Sequence, residues 1–98
     1  MAMTPEAKVK KKVKELLDTI GVYHFSPPGM GLGRAGIPDI IACHRGRFIA
    51  IECKAGDNQP TALQSRELEA ITNAGGLAFV VRESNLDRLK DLVWMRLN

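Results

Sequence analysis

The sequence has few aromatics, few cysteines and no long apolar run, and each shortage excludes a class of protein. Three Phe, one Tyr and one Trp among 98 residues argue against stacking of single-stranded bases as the main way of holding a partner. Two cysteines, Cys43 and Cys53, are too few for a disulfide scaffold or a zinc site built from cysteine alone. His24 and His44 show no metal-ligand spacing. No apolar run reaches the roughly 18 residues of a membrane span. The opening stretch MAMTPEAKVKKKVKELL is charged throughout and has no apolar core of a signal peptide. The chain therefore reads as intracellular and cytoplasmic, with no membrane partner. Repeats, low-complexity tracts and linkers are missing too, so residues 1–98 are expected to form one domain.

What is present is a folding composition: 45 % hydrophobic and 26 % charged residues are unlike those of a disordered chain. The net charge is +3 and the isoelectric point about 9.1. The surplus is uneven. Lys8, Lys10, Lys11, Lys12 and Lys14 crowd one stretch, and Arg34, Arg45 and Arg47 follow in turn-like sequence. A solvated helix face accounts for such a run; so does a polyanionic partner, nucleic acid or an acidic membrane surface. A domain this small buries a modest share of its surface, which favours self-association.

The element order reads α-β-β-β-α-β-α. Thr4, Pro5 and Glu6 form a helix start; Val9, Val13, Leu16, Leu17 and Ile20 recur at helical spacing, and Gly21 ends the run. VYHF (22–25) is a short strand, and SPPGMGLGRAG (26–36) a loop. IPDIIAC (37–43) and RFIAIECK (47–54) flank His44-Arg45-Gly46-Arg47 as a hairpin. Thr61 with Gln64 forms a capping box for a helix reaching about Ala74. LAFVVR (77–82) is apolar enough to be buried on both faces in the middle of a mixed sheet. Ser84 with Asp87 opens a last helix carrying Leu86, Leu89, Leu92 and Val93, followed by Trp94, Met95 and Leu97. The class is α/β: a central mixed sheet flanked by helices.

The hairpin carries the chemistry. With a two-residue turn at Arg45-Gly46, or a four-residue one, Asp39 lies directly opposite Glu52 on the facing strand, and the two share a face. Alternation puts Lys54 on the face of Glu52, with Ile49, Ile51 and Cys53 on the other. A three-residue turn would break this register. Two opposed carboxylates repel unless a cation lies between them. The plain alternative is a salt bridge on an exposed hairpin, but Ile40, Ile41, Ile49 and Ile51 mark half-buried strands, where unpaired charge is costly. A hard cation such as Mg²⁺ takes one or two carboxylates plus phosphate and water. Gln64 shares a helix face with Leu68 and Ile71 and points at the sheet, unless its side chain is spent on the capping box. Glu6 lies near the stripe of Val9 and Val13. Gly31-Leu32-Gly33-Arg34-Ala35-Gly36 matches G-x-G-x-x-G, but a dinucleotide fingerprint opens a helix. Here Pro38 and a β-rich run follow, so no organic cofactor is expected. The cysteines fall on opposite hairpin faces and read as small packing residues.

Ile37-Pro38-Asp39, a gap, then Glu52-Cys53-Lys54 resembles the PD-(D/E)-x-K nuclease signature. The longer pattern adds an early helix glutamate, Gly-Arg-Ala-Gly-Ile-Pro-Asp, the Gly-Arg-Phe turn, Ile-Glu-Cys-Lys-Ala, Thr-x-x-Gln opening a helix, and Ala-Gly-Gly after it. It resembles the VRR-NUC (virus-type replication-repair nuclease) family over about residues 4–92, whose small stand-alone members are typically phage or bacterial. The resemblance implies a restriction-endonuclease-like core and a Mg²⁺- or Mn²⁺-dependent phosphodiesterase on branched double-stranded DNA. It implies metal ligation by Asp39, Glu52, the Cys53 carbonyl and the first-helix acid, Glu6 with Glu15 as rival. It also implies water activation by Lys54 and support from Gln64. Lys8, Lys11, Lys12 and Arg34 are expected to hold phosphates. The function expected is a junction resolvase acting as a homodimer; a nicking or flap nuclease and a non-catalytic DNA-binding module are the alternatives.

Overall fold

The computed structural model describes residues 2–28 and 33–91. Helix α1 (Pro5–Thr19) leads through β1 (Tyr23–Phe25) to the hairpin β2 (Ile40–His44) and β3 (Arg47–Cys53). Helix α2 (Ala62–Asn73) crosses to β4 (Leu77–Val81), and a 3₁₀ turn (Leu86–Arg88) follows. Residues 89–91 are helical; the remainder of the expected last helix, with Leu92, Val93, Trp94, Met95 and Leu97, lies outside the described residues. Ser84 is not its cap. The residue before the 3₁₀ turn is Asn85, whose side chain turns back instead: Oδ1 accepts from Arg82 N–H at 2.7 Å and Nδ2 donates to Val80 C=O at 3.0 Å. Among the described residues no helix is long and apolar enough to cross a membrane.

Local chemistry sets the boundaries. Thr4 Oγ1 accepts from Ala7 N–H at 3.1 Å to start α1, relieving one of the unpaired amides of a helix N-terminus. At its end Gly21, at φ +76°, lets the chain reverse so that Val22 N–H reaches Leu17 C=O at 2.9 Å. Thr61 and Gln64 close the expected capping box on α2. Strand β2 begins at Ile40 rather than Ile37, since Pro38 has no N–H to give a ladder.

The sheet order is β1-β2-β3-β4, antiparallel except for the parallel pair β3–β4. Arg45 and Gly46 both have positive φ, +52° and +79°, as a type I′ turn requires. That two-residue turn pairs Ile40 with Ile51 and His44 with Arg47, and one step further out Asp39 faces Glu52. The expected place of the apolar strand needs correction. Among the described residues β4 is at an edge, while β3, like β2, is interior and is buried from Ile49 to Cys53.

Helix α1 covers one face: Val9, Val13 and Leu17 pack on Ile40, Ala42, Ile49, Ile51, Cys53 and Val81, with Leu89 completing the cluster. Helix α2 lies on the other face, where Ile71 and Ala74 line a groove with Ile41 and Phe48. It contacts β4 and β3 and leaves Tyr23, Phe25 and Phe48 exposed. Cys43 shares that open face and is exposed, so it is not the packing residue expected; Cys53 is.

Candidate active site

The hairpin opens away from its turn, and there three segments converge. Asp39 leads into β2, Glu52 and Cys53 end β3, Lys54 follows, and Glu6 reaches over from the first turn of α1. Asp39 Oδ2 accepts from Cys53 N–H at 2.8 Å, which ties the lead-in to the end of β3. Lys54 Nζ lies 3.7 Å from Glu52 Oε2 and 3.7 Å from Glu6 Oε1. Lys54 N–H donates to Val81 C=O at 3.0 Å, so its backbone is held by the sheet.

Charge is buried here. Glu52 is 1 % and Lys54 8 % exposed, while Asp39 is partly buried and Glu6 stands at the rim. Glu52 Oε1 is buried without a hydrogen-bond partner. Asp39 stands beside it but is itself an acid, and the two can share a proton only once one is protonated. Burial first, then the charge and hydrogen bonding of Asp39, push the Glu52 carboxyl up to about 8; Glu6 adds to the rise and Lys54 opposes it. The Cys53 thiol is pushed up to about 12, by burial first and then by Asp39 and Glu52. With the side chain fully buried, this thiol serves packing.

Such a site is short of positive charge. One ammonium serves Glu6 and Glu52, and an acceptor oxygen inside the site lacks a donor. No three His, Cys, Asp or Glu side chains among the described residues stand together as a metal cage. A hard divalent cation does not need one, because substrate phosphate and water supply the remaining oxygens. The orphaned Glu52 oxygen, with Asp39 beside it, fits that requirement.

The expected residues divide. Asp39, Glu52, Cys53, Lys54 and Glu6 are brought together. Glu15 is on another flank of α1, in a groove with Lys12, Leu16 and Thr19, whereas Glu6 is the α1 acid that reaches Lys54. Gln64 Oε1 accepts from Thr61 N–H at 2.9 Å: its carbonyl is spent on the cap. Lys8 and Lys12 line a groove with Glu83 and Asp87, and Lys11 is exposed. Arg34, expected on phosphate, is instead bound to Glu67 by Nε at 2.9 Å and Nη2 at 2.8 Å. Lys10 was missed. It is half-buried and near enough to Cys53 to act on its thiol. Its position one helical turn after Glu6 was the available signal.

A helix acid, an acid at the hairpin mouth and an E-x-K triplet at the end of an interior strand of a mixed sheet define a nuclease domain. Two solved structures share the architecture. One, described as "VRR_NUC domain", superimposes with a TM-score of 0.76 at 28 % identity, covering 91 % of this chain and 97 % of that one. The other, "VRR_NUC domain protein", gives a TM-score of 0.65 at 22 % identity over 99 % and 91 % of the two chains. In sequence the chain is 30 % identical over 92 residues to "Putative nuclease p44" of Acyrthosiphon pisum secondary endosymbiont phage 1, spanning 91 % of this chain and 95 % of that protein. The profile of the archaeal Holliday junction resolvase (Hjc) family matches residues 6–83. The chain belongs to that family of nucleases.

Proposed function

We propose that this nuclease is a divalent-metal-dependent, structure-selective DNA endonuclease that resolves four-way junctions as a homodimer. The observation that carries the reading is the buried, donorless oxygen of Glu52, beside Asp39 and Lys54 at the end of an otherwise apolar strand. Asp39 and Glu52 would hold Mg²⁺ or Mn²⁺, with the Cys53 carbonyl as a further oxygen. Bound there, such an ion polarises a phosphoryl oxygen and lowers the pKa of water. Glu52 must give up its proton to serve, which the nearby ammonium of Lys54 favours. Lys54, between Glu52 and Glu6, is placed to orient the attacking water and to stabilise the charge that develops on the phosphate. Glu6, 3.7 Å from Lys54 Nζ, would keep that side chain pointed into the site. Gln64 acts at one remove, by fixing the start of α2.

Lys10 supplies positive charge on the site's side of α1, and the net charge of +3 supports a polyanionic substrate. Two cuts related by a twofold axis need two sites, which a C₂ dimer of this chain supplies. The deciding experiment is cleavage of labelled four-way junction, flap, fork, duplex and single strand with Mg²⁺ and with Mn²⁺, alongside light scattering. Paired nicks on opposing junction strands and twice the chain mass are expected. A monomer that cuts flaps and leaves junctions intact establishes a nicking nuclease instead, and binding without cleavage a DNA-binding module.

A further inference from the structure

Between Gly33 and Asp39 the chain must deliver one carboxylate to a fixed place, and its own strand does not begin until Ile40. Two contacts tie the start of this segment to α2. Gly36 lies against the first turn of the helix: a Cβ there would sit 2.5 Å from Leu63 C=O oxygen and 2.9 Å from Gln64 nitrogen. Those are backbone atoms of a capped helix and cannot give way. One turn on, Arg34 grips Glu67 with a two-pronged fork, Nε at 2.9 Å from Oε1 and Nη2 at 2.8 Å from Oε2. Leu63, Gln64 and Glu67 are spaced to lie along one side of α2. Beyond Gly36, Ile37 is restricted to extended backbone by the proline that follows, and Pro38 is buried. Little freedom is left before Asp39.

We infer that Arg34 and Glu67 form a positioning clamp, with Gly36 as its seat, which sets the Asp39 carboxylate against Cys53 N–H from the first turns of α2. Arg34 and Glu67 touch neither of the two carboxylates and act through the backbone. The clamp gives Arg34 a role other than phosphate binding, and it gives Glu67, otherwise an acid on a DNA-binding protein, a reason to be there. An exposed ion pair adds little to global stability, whereas displacing a support behind a metal ligand typically weakens metal binding about 10–100-fold. The catalytic consequence rests on the proposed nuclease reading; the placement of Asp39 does not.

The test uses the whole chain. Arg34→Gln, Glu67→Gln and the swapped pair Arg34→Glu with Glu67→Arg are compared with wild type. Amide hydrogen exchange of metal-free protein reads the Cys53 N–H, with Ile51 N–H as internal control. Both single variants are expected to exchange Cys53 at least about fivefold faster, a local opening, and the swap to recover most of the difference. Calorimetry with Mn²⁺ alone should show about tenfold weaker binding in both singles, and cleavage should lose kcat with little change in KM. An unmoved Cys53 amide overturns the clamp. So does an effect of Arg34→Gln that Glu67→Gln does not share, since that identifies Arg34 as a phosphate contact. If wild type neither binds Mn²⁺ nor cuts DNA while Cys53 exchange still follows the fork, the nuclease reading fails and the clamp stands.

Discussion

The two ends of the β2–β3 hairpin handle charge in opposite ways. At the turn, Arg45 is exposed and Arg47 donates from Nε to Gly75 C=O at 3.1 Å. Charge at this end stands at or near the surface, where it costs little. At the mouth, Glu52 near the end of β3 and Lys54 just past it are out of water, with one oxygen left without a donor. A strand optimised for stability would place valine there; burying charge lowers stability unless it is fully paired. The same ladder thus has a neutral end and a costly end. The cost falls where Asp39, Glu6 and Lys54 gather.

The largest effect that separates the ends is catalytic. Lys54→Ala should cut the single-turnover cleavage rate by at least about 10²-fold with junction affinity nearly unchanged in gel shift. A variant keeping more than about a tenth of the rate would make Lys54 a mere neutraliser of the acids, given what such contacts are usually worth.

Next in size is the competition between proton and metal at Glu52. Its carboxyl is pushed up to about 8, so apparent Mn²⁺ affinity should fall about tenfold for each pH unit below about 8. Calorimetry at pH 8, 7 and 6 measures this, and a flat profile would remove Glu52 from the ligands.

A smaller effect, on stability, has a definite sign. Because the folded pKa is raised, metal-free native protein binds the extra proton between the ordinary carboxylate pKa and about 8. Stability is therefore lost as pH rises through that window. The melting temperature should drop by at least about 4 °C from pH 5 to pH 8, and Glu52→Gln should flatten the drop. Asp39→Asn should keep or raise the metal-free melting temperature at pH 8. Its Oδ1 can still accept from Cys53 N–H and a like charge is gone. It should also weaken Mn²⁺ binding. A destabilised Asn variant with unchanged Mn²⁺ affinity would make Asp39 a structural acid.

The smallest effect belongs to the turn. Arg45→Asn, at a φ of +52° that Asn tolerates, should shift the melting temperature by less than about 2 °C and leave cleavage unchanged.

The register of this hairpin was legible in the sequence because Arg45-Gly46 left few turn geometries open and alternation did the rest. Two of the three expected caps were legible because Thr4, Thr61 and Gln64 act within four residues of themselves; Ser84 was misread, since Asn85 precedes the 3₁₀ turn. What else failed was non-local. Five apolar residues in β4 report that helices cover both faces of the strand, but say nothing about whether it has a neighbour on each side, so an edge strand read as an interior one. Arg34 finds Glu67 33 residues away, which no local pattern announces. The lysine run was read as one patch, whereas helical phase divides it, sending Lys8 and Lys12 to one flank and Lys10 to the other. Gln64 was ambiguous because a capping residue and a residue facing the sheet can be the same residue.

Asn85 has a consequence for how copies of this protein meet. Lys54 N–H takes Val81 C=O inward, so Val80 C=O and Arg82 N–H project from the outer edge of β4, an open template for a further strand. The Asn85 carboxamide occupies both positions, standing in for one peptide unit of the absent neighbour. Strand addition past Val80 would first have to evict it and leave a donor and an acceptor to be satisfied anew. A single amide thus works as a stopper against edge-to-edge stacking. Replacing it with alanine should show up first as turbidity on storage.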